Sequence, residues 1–237
     1  MRFSGTLGRG WMVLGLMALI GSQAVGQSTT QVWLDYVGNR NVKRNLGFTS
    51  EVSLRQLVSK GEWTKLSVKG VAQYNPEKWL GLIGGLTLQQ VWQSPEANTF
   101  EIRPYGGGLI DVFILGNVRV MFRSLLEFRL IRSADDGSSD SDWRWRNRLG
   151  VTFPINEKYF INKTLYGIMD IEAFSDVTGK LTEAFAGRLR WRAGLGYIFT
   201  GFWRIELIYT LQESRTTTDE EYESSDHIIR FRVRHTI

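Results

Sequence analysis

The sequence has no cysteine and only two histidines and four prolines among its 237 residues. The lack of cysteine excludes disulfide frameworks, thiolate zinc sites, iron–sulfur clusters and cysteine nucleophiles. Long apolar runs are also missing, since no stretch beyond residue 26 reaches the roughly 20 residues that a transmembrane helix needs. With 22% charged residues, the chain is not a polytopic helical membrane protein.

Glycine and aromatic residues are instead abundant, with 25 glycines, nine tryptophans, eight tyrosines and 13 phenylalanines. A hydrophobic fraction of 43% excludes intrinsic disorder. The formal net charge is +5 and the isoelectric point is near 9.5. A basic balance of this size invites a nucleic-acid interpretation, which holds only if the basic residues lie on an accessible surface.

Residues 1–26 have the pattern of an export signal that is removed from the mature protein. Arg2 and Arg9 provide a positive start, residues 11–20 an apolar core, and residues 24–26 the small side chains preferred at a cleavage site. A short membrane anchor is the alternative interpretation. Without a cysteine after the small residues, a bacterial lipoprotein is excluded. The sequence therefore predicts an exported protein with one mature domain over residues 27–237.

Beyond this region, apolar and polar residues alternate with the two-residue period of a β-strand. Within residues 118–130, for example, Arg119, Arg123 and Arg129 share one face while Phe122 and Leu126 share the other. Eleven segments carry the pattern, some more cleanly than others: residues 31–37, 45–57, 63–74, 79–93, 99–114, 118–130, 143–153, 163–174, 188–197, 203–212 and 229–234.

Alternating segments of about ten residues are typical of a closed, antiparallel transmembrane β-barrel. A soluble sandwich or lipocalin-type barrel also alternates and is the alternative. Rows of arginines on one strand face favour the membrane barrel, because a dry core does not tolerate unpaired charge. Aromatic residues near the predicted strand ends favour it too, as an interfacial girdle. These are Trp63, Trp79, Trp92, Trp143, Trp203 and Tyr209.

The number of strands is harder to derive than their existence. Bacterial single-chain barrels use even numbers and usually have both termini at the end with the short turns. Eleven segments therefore predict ten to twelve strands. If residues 31–37 are not a full strand, the number is ten; if two strands are merged near residues 38–44, it is twelve. We favour twelve.

Five ordered stretches resemble a known family. They are EIRPY at 101–105, LLEFRL at 125–130, RWRNRLGVTFPI at 144–155, YGIMDIEAFSD at 166–176 and RLRWRAGLGYIF at 188–199. In this order they resemble the bacterial outer-membrane β-barrel proteins grouped as domain-of-unknown-function family DUF2490, over most of residues 31–237. The resemblance implies the barrel fold and a location in the outer membrane of a Gram-negative bacterium. It implies no established activity or site.

If the polar face lines the lumen, the strand phases place 17 basic residues inside the barrel. They are Arg55, Lys65, Lys69, Arg103, Arg119, Arg123, Arg129, Arg144, Arg146, Arg148, Arg188, Arg190, Arg192, Arg204, Arg230, Arg232 and Arg234. Seven acids share that face: Glu51, Glu101, Asp111, Glu127, Asp170, Glu172 and Glu206. The predicted lumen thus has an excess of ten positive charges, and we drop the nucleic-acid interpretation.

Two interpretations of this charged lumen remain open. Arginine–carboxylate networks often only hold strands together, which is a structural role. Alternatively, surplus guanidinium groups line a narrow path that favours anions, or bind an anionic solute. We take a narrow anion-favouring channel or anion binder as the leading hypothesis, with no cofactor and no metal site.

Two other classes of function stay as alternatives. An outer-membrane lipid hydrolase would need a histidine base, and only His227 and His235 are present. Serines such as Ser124 have no histidine at a recognisable spacing, so we predict no catalytic residues and no enzyme. A barrel with a structural or adhesive role, acting through the acidic stretches 133–142 and 213–226, is the other alternative.

The expected partners follow from the predicted location. They are outer-membrane lipid, small anionic solutes and, during biogenesis, the barrel-assembly machinery. Phe231, Val233, His235 and Ile237 alternate to the last residue and resemble the terminal strand that this machinery reads. We expect a monomer.

Overall fold

The computed structural model describes residues 29–58, 63–93, 98–114, 117–134, 136–177, 187–215 and 222–237. The predicted export signal over residues 1–26 lies outside these residues, as does the middle of the acidic stretch 213–226. The described residues contain no helix that is long and apolar enough to cross a membrane.

The described residues form eleven β-strands, and each of the eleven alternating segments corresponds to one of them. The strands are β1 Thr29–Lys43, β2 Leu46–Leu57, β3 Thr64–Glu77, β4 Leu80–Trp92, β5 Thr99–Ile114, β6 Val118–Ser133, β7 Ser139–Pro154, β8 Leu165–Asp176, β9 Gly187–Ile198, β10 Trp203–Arg215 and β11 Tyr222–Thr236. The preference for twelve strands was therefore wrong, because residues 31–37 belong to one long strand that continues to Lys43.

The strands form one closed barrel in which each strand pairs antiparallel with its neighbours in the chain. The exception is the pair that closes the barrel, since β1 and β11 run parallel. An odd number of alternating strands brings the first and last strand together in the same direction. In this parallel seam, Trp33 is paired with Arg230 and Asp35 with Arg232.

The odd strand number also sets where the chain ends lie. One end of the barrel, which we call the turn end, carries Ile237 and the connections at residues 44–45, 78–79, 115–117, 155–164 and 199–202. The other, the loop end, carries Thr29 and the connections at residues 58–63, 93–98, 134–138, 177–186 and 216–221. The two ends of the described chain lie at opposite mouths, so the expectation that both termini share the turn end was wrong.

The size of the barrel follows from its register. Traced from Trp33 through β2 to β5, the paired residues reach Ser133 on β6. Traced the other way, through β11 to β7, they reach Arg119 on the same strand. The difference of 14 residues is the shear of the barrel. With eleven strands, this shear gives a backbone radius of about 11 Å and a strand tilt of about 44°.

The two faces of the barrel have opposite chemistry. Large apolar side chains on the outer face are exposed along the middle of the strands, with exposed fractions of 49% for Leu34, 50% for Leu207 and 49% for Phe231. The inner face holds the buried charged residues, including Glu127 and Glu172. A contiguous apolar exterior of this kind is far larger than the patches that soluble monomers expose.

Glycines make room for aromatic rings on the inner wall. A Cβ atom at Gly196 would lie only 2.2 Å from the ring of Tyr166. At the turn end, Tyr166 packs with Ile168, Ile198 and Ile208, and Phe160 from the connection after β7 packs against this cluster. These side chains place an apolar core inside the turn end, on the side of β8 to β10.

Candidate functional site

The charged lumen is organised around seven buried carboxylates, each of which contacts two or more basic side chains. Glu172 is fully buried at the centre of the largest group. Its oxygens lie 2.8 Å from Arg146, 3.1 Å from Arg123, 3.2 Å from Arg192 and 3.6 Å from Arg190. Four guanidinium groups around one carboxylate leave this part of the wall positive.

Two further carboxylates organise the wall of β5, β6 and β7. Glu127 contacts Arg144 at 2.5 Å and Arg146 at 3.1 Å. Glu101 contacts Arg103 at 2.6 Å and Arg129 at 2.8 Å, and it also accepts a hydrogen bond from the side-chain amide of Gln89. These contacts connect neighbouring strands through their side chains as well as through their backbone.

On the wall formed by β8 to β11, each of two buried carboxylates again contacts two basic side chains. Asp170 binds Arg192 and contacts Arg148 at 2.7 Å. Glu206 contacts Arg232 and Arg234 at 2.8 Å each, and the hydroxyl of Tyr166 donates to it at 2.9 Å. The apolar core at the turn end is thus connected to the ion-pair network through Tyr166.

Asp35 closes the network across the parallel seam and was missed in the sequence. Its carboxylate binds Arg230 and lies 3.3 Å from Arg232, and the hydroxyl of Ser53 donates to it at 2.6 Å. The polar phase of residues 31–37 contains Gln31 and Asp35, and this phase was the available signal. Asp142 is a second buried acid on the inner phase that we had not counted. Asp140, Asp176 and Asp226 also lie on the inner phase, paired with Ile131, Arg144 and Thr29, so these five further acids reduce the expected excess from ten positive charges to five.

Sixteen of the 24 residues predicted to face the lumen are expected to form its charged network, and all sixteen lie on the inner phase of their strands. Fifteen of them form ion pairs, and they are Glu101, Arg103, Arg123, Glu127, Arg129, Arg144, Arg146, Arg148, Asp170, Glu172, Arg190, Arg192, Glu206, Arg230 and Arg232. Arg204, near the turn end, forms none within the described part of the chain. The structure therefore brings together a network that the sequence predicted only as a set of inward positions.

Two aromatic rings narrow the lumen on the side of the loop end. The guanidinium carbons of Arg55, Arg230 and Arg190 lie 4.1, 5.3 and 5.6 Å from the ring centroid of Trp33. Arg190 also lies 4.7 Å from the ring centroid of Phe174. Because Trp33 is on β1 and Phe174 on β8, Arg190 links distant parts of the wall. Cation–π contacts of this kind fix the orientation of the arginines.

The turn end contains a contact between two connections and a cavity. Asn117 donates a hydrogen bond to the backbone carbonyl of Lys158, so the 155–164 connection reaches towards the β5–β6 turn. On the other side lies a cavity of about 660 Å³ whose lining includes Arg44, Gln73 and Arg119. This cavity therefore lies at the turn end, beside the ends of β2 to β6.

One acidic residue of the loop end has a defined environment. The backbone amide and hydroxyl of Ser138 donate to Asp136 at 3.0 and 2.7 Å. These hydrogen bonds lower the pKa of Asp136 to about 2. Asp136 is therefore negatively charged at neutral pH and contributes to an acidic rim at this mouth.

Both histidines lie on the outer face of β11, near its two ends. The Tyr36 hydroxyl lies 2.9 Å from Nδ1 of His235, on which Trp203 stacks with centroids 4.0 Å apart. His227 Nδ1 lies 2.6 Å from the hydroxyl of Tyr209. The hydroxyl of Ser124 accepts from the indole of Trp145 instead, on β6. The prediction that the protein is not an enzyme stays a prediction.

A closed sheet with an apolar outside and a charged inside defines the class of porin-like β-barrels. The family described as "Protein of unknown function (DUF2490)" matches residues 30–223, so the chain belongs to this family and the resemblance is confirmed. The solved structure "NanC porin structure in rhombohedral crystal form" is similar, with 12% identity and a TM-score of 0.48. The similarity covers 81% of this chain and 93% of that one. No curated protein matches the chain.

Proposed function

We propose that the protein is an outer-membrane β-barrel whose arginine-lined lumen binds or passes small anionic solutes. The observation that carries this proposal is the excess of basic over acidic side chains on the inner wall. Seven buried carboxylates, namely Asp35, Glu51, Glu101, Glu127, Asp170, Glu172 and Glu206, each contact two or more basic groups. A wall that remains positive after its internal pairing attracts anions and repels cations.

The outer face supports the location in a membrane. Leu34, Leu207 and Phe231 belong to a continuous band of exposed apolar side chains, which water would disfavour and lipid tails accept. His235 and His227, each bonded to a tyrosine hydroxyl, lie eight residues apart on β11 and flank this band. Polar aromatic clusters at both edges of an apolar band are the arrangement of interfacial girdles.

The width of the lumen favours small solutes. A backbone radius of about 11 Å is only modestly larger than that of an eight-stranded barrel, which side chains fill completely. Arg190 reaches both Trp33 and Phe174, so the arginine layer occupies much of this cross-section. A narrow path between guanidinium groups suits single anionic groups rather than polymers.

The location is tested first. We expect the protein in the outer-membrane fraction of a Gram-negative host, with faster gel migration before heating than after it. Recovery only from the soluble fraction, or migration that heating does not change, would contradict the membrane barrel.

The anion preference is then tested in planar bilayers. With a potassium chloride gradient across a bilayer that contains the purified barrel, we expect the reversal potential to shift from zero towards the equilibrium potential of chloride. The reason is that the positive wall excludes potassium. The heat-denatured protein at the same detergent concentration is the control. Equal permeability of chloride and potassium would refute the proposed passage.

A further inference from the structure

Two basic residues near the loop end, Arg55 on β2 and Lys65 on β3, are directly paired across the two strands. Like charges at directly opposed positions are destabilising, because their Cβ atoms lie only about 5 Å apart. Four residues nearer the turn end, the same strands carry the matched pair Glu51 and Lys69, with 2.6 Å between Oε2 and Nζ. Two other directly opposed pairs on the inner wall are like-charged, namely Arg123–Arg148 and Arg204–Arg234. In each of these at least one arginine forms an ion pair with a carboxylate.

Neither side chain forms an ion pair within 4 Å among the residues that the structure describes. Their electrostatic contacts with acids are longer, from Arg55 to Asp35 and Glu51 and from Lys65 to Glu101. Arg55 donates from Nε to the hydroxyl of Ser53 at 3.2 Å, and its guanidinium carbon lies 4.1 Å from the Trp33 ring centroid. Lys65 has its ammonium 6.0 Å from the ring centroid of Trp63. A hydroxyl and aromatic rings orient these two cations but do not neutralise them.

Further arginines converge on the same level of the lumen. Lys65 interacts electrostatically with Arg103 on β5 and with Arg188 on β9, six strands away on the opposite wall. Arg190, the next inward residue of β9, lies over the same Trp33 ring as Arg55. We call Arg55, Lys65, Arg103, Arg188 and Arg190 the loop-end cation ring. Its members come from four strands and meet across the lumen.

We propose that the loop-end cation ring binds a doubly charged oxyanion, namely phosphate or the phosphate group of a small ester, that enters from the loop end. This inference rests on the proposed function and assigns its site and ligand class. Guanidinium groups match two oxygens of a phosphate at once, and the lysine ammonium adds a point charge. A dianion held between facing walls offsets the Arg55–Lys65 repulsion, whereas acetate or chloride offsets only part of it.

The test uses the full mature chain in detergent and inorganic phosphate as the probe. Calorimetry at low ionic strength measures the dissociation constant, and chloride current in bilayers measures block by phosphate. We expect the double variant Arg55→Gln, Lys65→Gln to weaken phosphate binding and block at least tenfold. Arg132→Gln is the matched control, because it removes an exposed arginine at the same end from the outer phase of β6. It should bind phosphate like the wild type.

A charge reversal separates binding from folding. Lys65→Glu places a carboxylate directly opposite Arg55, so we expect it to abolish phosphate binding while the barrel resists urea at least as well as the wild type. Heat-dependent gel migration confirms that each variant is folded. Unchanged phosphate affinity in the folded double variant or in Lys65→Glu would overturn the site.

The remaining outcomes separate this inference from the proposed function. Phosphate binding without any anion-selective current refutes passage and leaves the site intact. An anion-selective current that phosphate does not alter leaves the function intact and refutes the site. Nanodiscs that contain phosphatidate provide the last arm. If soluble phosphate no longer binds in them, the ligand is a lipid headgroup and entry from the loop end is overturned.

Discussion

The substitution Asp35→Asn tests whether ion pairs hold the parallel seam together. Asp35 is 5% exposed, and it binds the equally buried Arg230 and Arg232 of the neighbouring strand. Asparagine keeps the shape of the side chain and can accept from Ser53, but it removes the negative charge. Two buried guanidinium groups then lose their shared carboxylate at the only parallel pairing among the described strands.

The expected loss in the free energy of unfolding depends on which acidic partners the two arginines keep. Removing one partner of a buried ion pair typically destabilises a protein by about 3–5 kcal/mol, because the other charge stays buried. Arg232 keeps Glu206 at 2.8 Å, and Arg230 keeps Glu51 at 3.6 Å. We therefore expect the lower end of this range, about 3 kcal/mol in the free energy of unfolding.

The assay is urea unfolding of the barrel in lipid vesicles, followed by the fluorescence of the eight tryptophans beyond residue 26. Linear extrapolation gives the free energy of unfolding in the absence of urea. Asp111→Asn is the control, since Asp111 pairs with Arg119, whose side chain is 44% exposed, and such a pair contributes about 1 kcal/mol or less. A loss for Asp35→Asn that equals the loss for Asp111→Asn would refute the role of the seam pairs.

Three further predictions use other parts of the barrel. Because the chain has no cysteine, a single cysteine substitution reports on one site only. In vesicles, a charged maleimide should label the inward Arg55→Cys and not the outward Leu34→Cys. Equal labelling of the two variants would contradict the assigned faces. Gly196→Ala should lower the free energy of unfolding by about 1–3 kcal/mol, because its Cβ would meet the buried Tyr166 ring. Gly84→Ala, with open space around the new Cβ, should be neutral in the same urea assay. Deletion of residues 234–237 removes the last residue pairs of the seam, including the hydrogen bond from the Ile237 amide to the carbonyl of Asn39. We expect the truncated protein to lose the heat-modifiable form. Normal surface levels of this variant would refute the prediction.

The strands were predictable because their information is local. A residue in a strand points to the opposite face from its neighbour, so the arginines of residues 118–130 and 143–153 revealed both the strands and their inner face. Side-chain exposure on β6 and β7 follows this alternation. The strand number was not predictable in this way, because closure depends on how β1 meets β11, some 200 residues away in the chain.

The site was predictable as a surface but not as a set of contacts. The alternation placed Arg123 and Glu172 on the inner wall, yet 49 residues separate them and nothing local pairs them. Asp35 was missed for a different reason. Its inward neighbours Trp33 and Val37 are apolar. The inward face of β1 therefore does not show the continuous polar pattern that identified the other strands, although Asp35 of this face binds the arginines of the seam.

The parallel seam also limits how this chain can be rearranged. Thr29 and Ile237 lie at opposite mouths of a barrel whose first strand is 15 residues long. At the tilt of this barrel, such a strand spans about 35 Å of its height. A circular permutant would need a linker of at least about ten extended residues, threaded through the arginine-lined lumen or laid along the apolar exterior. In a barrel with an even number of strands, the first and last residues lie at the same mouth, so a short linker is enough to join them in a circular permutant.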